Sequence, residues 1–176
     1  YANHPPGGGV MLLEMLNVLE NFNLRDLTHN SSEYIRIVSE TMKRATLDKE
    51  MFVGDPLFID VPLEKLLSKE YASEVSNKIK KNERTFINRV TQIEPKNTTH
   101  VSVIDQEGNC VTMTHSLGMP SGVITDGLGF MFNGCMAVFD PRPGRAGSIA
   151  PGKSRFSSLA PTIVTKDGNP HIVLGL

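Results

Sequence analysis

The chain has 176 residues, 39% of them hydrophobic and 21% charged, enough for one core of ordinary size. Its formal net charge is -1 with both signs spread along the chain, so no basic stripe points to nucleic acid, and no apolar run is long enough to span a membrane. Two cysteines, Cys110 and Cys135, have neither metal nor redox spacing; they read as small apolar core residues, and nothing in the pattern indicates a disulfide.

The first half reads as helices. Pro5 to Gly9 is a lead-in to a helix over 10–22, where Met11, Leu12, Met15, Leu16, Val18, Leu19 and Phe22 keep helical spacing. Ser31 or Ser32 caps a second helix whose apolar stripe is Tyr34, Ile35, Val38, Met42 and Ala45. Gly54-Asp55-Pro56 breaks the chain, and Pro62 starts a third helix through Leu63, Leu66 and Leu67. Tyr71 to Lys80 continues or restarts it. The charged run Lys78 to Arg84 reads as a solvated helix end and linker rather than a docking surface.

The second half reads as strands. Alternating runs at 99–105 and 110–116 flank the turn Gln106-Glu107-Gly108-Asn109, which predicts a hairpin in a half-buried sheet. Residues 117–122 read as a loop, 127–134 as a short apolar piece between glycines, and 139–155 as a long loop rich in Pro and Gly. A second hairpin is expected from 162–165 and 171–174, with Asp167-Gly168 at its turn. Helices followed by hairpins suggest helix layered on antiparallel sheet, an α+β class, without internal repeats.

Thr98 stands at the head of the first hairpin. A threonine there is a nucleophile if the chain is cut just before it, because the freed α-amine acts as base on its own hydroxyl. On spacing alone, an ordinary strand threonine is the preferred reading. Thr99 is the competing nucleophile. Asn97-Thr98-Thr99 and Asn30-Ser31-Ser32 are formal glycosylation sequons, which occur often by chance. His100 reads as a packed or surface histidine.

The order and spacing of several segments resemble the gamma-glutamyltranspeptidase family of N-terminal-nucleophile hydrolases. They are His4-Pro5-Pro6-Gly7-Gly8-Gly9, Val53-Gly54-Asp55-Pro56, Thr98-Thr99-His100-Val101-Ser102-Val103-Ile104-Asp105, and Arg155-Phe156-Ser157-Ser158-Leu159-Ala160-Pro161-Thr162. The resemblance covers nearly the whole chain. It implies a four-layer α-β-β-α sandwich of which this chain is part. It also implies a zymogen that cuts itself at Asn97-Thr98, with 1–97 the helical C-terminal part of a large subunit and 98–176 the start of a small one. Thr98 would then be catalytic, Ser116 and Thr114 supporting hydroxyls, and Ser157 and Ser158 ligands for a substrate carboxylate. The implied activity is amide hydrolysis or acyl transfer in glutathione metabolism, on a small amide or γ-glutamyl substrate. No cofactor or metal is implied, and the family is often periplasmic or extracellular. His4-Pro5-Pro6-Gly7 lies mid-polypeptide in the family and Leu176 stops within an apolar strand, so the chain is expected to be a fragment.

Three departures bear on substrate. An asparagine expected shortly after the second-strand hydroxyl is Gly118. The Asn-Asn-x-Met segment is Asn133-Gly134-Cys135-Met136. The aspartate pair expected after it, which would hold an α-amino group, is Ala137-Val138, with Asp140 displaced. Without that pair, an acyl group lacking an α-amine fits better than a γ-glutamyl head. The same departures motivate the alternative of an inactive homologue that serves as a binding or scaffold protein.

Overall fold

The computed structural model describes residues 1–87 and 98–175. Among the described residues, four α-helices occupy the first half: α1 (Gly9–Leu19), α2 (Ser32–Phe52), α3 (Leu63–Leu66) and α4 (Lys69–Lys80), with a 3-10 turn at Leu24–Asp26. The α2 cap is Ser31, whose hydroxyl accepts the Tyr34 N–H at 3.3 Å. Helix α1 ends three residues before the expected limit, and Phe22 N–H closes a turn onto the Leu19 carbonyl. Helix α4 is a restart: Ser68 caps it by accepting the Tyr71 N–H at 3.1 Å. Satisfying these otherwise orphaned amides is what defines each start.

Val10 and Val18 of α1, Ile37 of α2, and Tyr71, Ala72, Val75 and Ile79 of α4 form the core with Val53 and Leu66. The buried face of α2 differs from the expected stripe. Ile37, Thr41, Ala45 and Asp48 point inward, while Ile35 and Met42 are half exposed. Hydropathy misplaces this face because polar groups on it find partners inside: Thr41 Oγ1 donates to the Ile37 carbonyl, and Tyr71 Oη donates to Asp48 Oδ2 at 2.7 Å.

Strands β1 (Thr98–Ile104) and β2 (Cys110–Ser116) pair antiparallel in unbroken register from Thr98 opposite Ser116 to Ile104 opposite Cys110. The Asp105 carboxylate clamps the turn, accepting Asn109 N–H and Nδ2–H, both at 2.8 Å. β3 (Pro120–Ile124) pairs with β4 (Met131–Asn133), so residues expected as a loop contribute a strand. Its signal is weak because the pairing is short and irregular; Ser121 Oγ donating to the Phe132 carbonyl helps hold it. β5 (Thr162–Lys166) and β6 (Asn169–Leu174) join through Asp167 and Gly168, both at positive φ (52° and 82°), a tight two-residue hairpin turn.

The halves interlock. Ile163 N–H donates to the Tyr1 carbonyl at 2.9 Å, Ser157 N–H to Pro6 at 2.8 Å, and Gly8 N–H to Leu159 at 3.2 Å. Buried Asp55 accepts the Ser154 N–H at 2.7 Å, and Phe156 packs against the helical core. The result is an α+β arrangement. No helix among the described residues is long and apolar enough to cross a membrane.

Candidate active site

Thr98 is the first described residue of β1, and Asn97 lies outside the described residues. The register sets Ser116 directly across the hairpin, and Thr98 Oγ1 donates to Ser116 Oγ at 3.3 Å. The pair follows from alternation: residues directly opposite project to one face, so a hydroxyl on each strand meets its partner. Ser116 Oγ also accepts the Gly118 N–H at 2.9 Å. Thr99 pairs with His115, one step along the strand and therefore on the opposite face.

Thr114 shares the face of Thr98 but lies opposite His100, and its hydroxyl meets His100 Nδ1 at 2.9 Å. His100 Nε2 meets Ser102 Oγ at 2.8 Å and Thr112 Oγ1 at 3.3 Å. The imidazole lies so close to Gly175 that a β-carbon there would come within 2.5 Å of it. Both ring nitrogens are thus engaged by groups other than Thr98. Thr112 Oγ1 in turn donates to the Leu174 carbonyl at 3.0 Å, tying the first hairpin to the end of β6.

Ser157 and Ser158 lie on the extended lead-in to β5, laid against the Pro6–Gly9 segment. A β-carbon at Gly8 would stand 2.6 Å from the Ser158 carbonyl oxygen, so this approach needs glycine. No hydrogen bond joins the serine pair to Thr98 among the described residues.

Ala137 and Val138 lie exposed in the 3-10 turn Cys135–Val138. Asp140 is committed elsewhere. Its carboxylate accepts Arg142 N–H and Nε at 2.9 Å and Nη2 at 2.7 Å. Those hydrogen bonds hold its pKa down at about 2. Of the cysteines, Cys135 is buried and Cys110 only half-buried, and both are free thiols. What sequence reasoning missed is the fit of Cys135 against Gly118, where an added β-carbon would come within 2.9 Å of the sulfur. The visible signal was the pair of glycines in place of expected side chains.

Comparisons agree on one relationship. The family model described as gamma-glutamyltranspeptidase matches residues 1–176. The glutathione hydrolase proenzyme of Escherichia coli K12 is 33% identical, over 99% of this chain and 33% of that protein. The acylase ACY 1 proenzyme of Pseudomonas sp. strain V22 is 37% identical, over 98% of this chain and 31% of that protein. Among solved structures, cephalosporin acylase from Bacillus halodurans superposes with a TM-score of 0.78 at 27% identity, covering 98% of this chain and 31% of that one. The chain spans about a third of the length of the curated relatives it matches. It belongs to the gamma-glutamyltranspeptidase family and has the α+β fold of these N-terminal-nucleophile hydrolases.

Proposed function

We propose, from membership of that family, that the full-length protein is a self-processing amide hydrolase or acyltransferase with Thr98 as its nucleophile. The observation that carries this is the Thr98–Ser116 hydroxyl pair at the head of β1. In processing, the Thr98 hydroxyl attacks the Asn97 carbonyl and the peptide nitrogen departs, leaving an ester. Water hydrolyses the ester, freeing an Asn97 carboxylate and the Thr98 α-amine. Residues 1–97 then close a large subunit and 98–176 open a small one.

In turnover, the α-amine takes the hydroxyl proton as the oxygen attacks the substrate amide, and returns it to the departing amine. An α-amine titrates near ~7.7–8.0, so a useful share is neutral at physiological pH. Water or a second amine then takes the acyl group from Thr98. Ser116 orients the nucleophile, and Thr114 supports the strand through His100. Ser157 and Ser158 donate to a substrate carboxylate without adding charge.

The donor we favour is an acyl amide without an α-amino group. Ala137 and Val138 offer no carboxylate to an ammonium, and Asp140 is neutralised by Arg142. Both an acylase and a glutathione hydrolase are relatives, so both donor types merit direct comparison.

The test is a denaturing gel of the full-length protein with N-terminal sequencing of the smaller piece. Two pieces, one beginning at Thr98, are expected; Thr98→Ala should give a folded, uncut, inactive precursor, and Thr98→Ser should keep part of both activities. An uncut, inactive wild type would favour the binding or scaffold reading. Normal cutting of Thr98→Ala would move the nucleophile to Thr99.

A further inference from the structure

We infer that Gly118, Gly134 and Cys135 form a clasp that positions Ser116 against Thr98; this rests on the function proposed above. Two loops approach more closely than side chains allow. Gly118 is at φ +64°, and a β-carbon on it would stand 2.9 Å from Cys135 Sγ. Gly134 answers from the other side: a β-carbon there would stand 2.8 Å from the Met119 carbonyl oxygen. Its own N–H donates to that same oxygen. Cys135 is 8% exposed, and its thiol donates to the Leu117 carbonyl at 3.3 Å. Asn133 Oδ1 accepts the Cys135 N–H at 3.1 Å and holds the turn in place.

Each glycine therefore clears the path of the other segment. Positive φ by itself does not demand glycine at 118, because asparagine also tolerates that region. Beyond that backbone strain, a β-carbon at 118 would meet the Cys135 thiol, and one of the two would have to shift. Gly118 and Gly134 thus lie in one close contact between the two segments. Its product is the Gly118 N–H held 2.9 Å from Ser116 Oγ, the oxygen that also receives the Thr98 hydroxyl. Fixing the segment directly after β2 fixes the hydroxyl that orients the nucleophile. Cys135 is accordingly a positioning residue that acts through Gly118.

The experiment is a double-mutant cycle in the full-length protein: wild type, Gly118→Asn, Cys135→Ala and the double variant. The readouts are self-cleavage and the kcat and KM for an acyl anilide without an α-amine. Gly118→Asn should lower kcat about tenfold or more with KM moved less than about threefold, and the double variant should return kcat to within about threefold of Cys135→Ala. If Gly118→Asn fails to fold while the double variant folds and turns over, the coupling also stands. Wild-type kcat in Gly118→Asn, additive losses, or a double variant no better than Gly118→Asn would overturn the clasp while leaving the proposed function intact. A wild type that neither cuts itself nor releases aniline would overturn the proposed function, and this role with it.

Discussion

At the residue scale, the least expected group is Glu14. It lies on the inner face of α1, 2% exposed, beside Asp48, which is fully buried. Glu14 Oε1 and Asp48 Oδ1 receive no hydrogen bond among the described residues, and a proton kept on Glu14 resolves both, since it can be shared between the carboxyls. Burial, then the hydrogen bond and charge of Asp48, push the Glu14 pKa up to about 9, with the Arg44 guanidinium opposing. The other oxygen of Asp48 is served by Tyr71 Oη at 2.7 Å and Arg44 Nε at 3.0 Å. The folded state therefore holds a proton that the unfolded chain releases near its ordinary pKa of about 4.5. Stability from this group is present at low pH and is lost as pH rises towards 9. Glu14→Gln keeps a donor for Asp48 and removes the titration. Urea midpoints between pH 6 and 9 should fall more steeply for the wild type than for the variant. Parallel slopes would show that Glu14 is ionised in the fold.

At the element scale, short connections carry the site. The lead-in to β5 holds Ser157 and Ser158 only because Gly8 lets the chain before α1 lie against it, with the Ser157 N–H on Pro6 and the Gly8 N–H on Leu159. Gly8→Val would place its β-carbon against the Ser158 carbonyl and displace the pair. Displacement of a positioning group by about 1 Å can cost up to ~100-fold, so KM for a carboxylate-bearing donor should rise at least about tenfold with self-cleavage retained. An unchanged KM would remove the serine pair from donor binding. The helix caps and the β5–β6 turn contribute differently: they satisfy local amides and determine where elements start, as Ser31, Ser68 and Asp167-Gly168 do.

At the scale of the whole molecule, the two halves share one body. Edge pairing of Tyr1 with Ile163, the Asp55–Ser154 bond and Phe156 on the helical core all cross between them. The proposed cut at Asn97-Thr98 would sever none of these contacts. The processed protein should elute as one species in native size exclusion and separate only on denaturation; elution as two separate pieces would contradict this interlock. Donor preference also belongs to this scale, because it sums the missing aspartate pair and the Arg142-bound Asp140. Acyl anilides without an α-amine should exceed γ-glutamyl anilides in kcat/KM, since an unpaired ammonium destabilises the transition state. A strong preference for the γ-glutamyl donor would mean that another carboxylate holds its amine.

The amino-acid sequence alone determined the helical first half, a cap at Ser31 or Ser32, both long hairpins and the residues of the Thr98 motif. Those features rest on interactions within a few residues or across one short turn, where alternation and turn chemistry set the outcome. Once 98–104 and 110–116 are strands joined by a clamped turn, the Thr98–Ser116 pairing follows from register. Tertiary structure decided the rest. The inward face of α2 depends on Asp48 finding Tyr71, 23 residues away. The weak β3–β4 pairing depends on each strand supplying the other's partners. The fit of Gly118 to Cys135 depends on a close approach between segments 17 residues apart, which composition and hydropathy do not encode. A hydrophobicity pattern records the preference of each side chain for water or oil. It does not record whether a buried carboxylate has a proton to share, or whether a missing β-carbon makes room for a thiol.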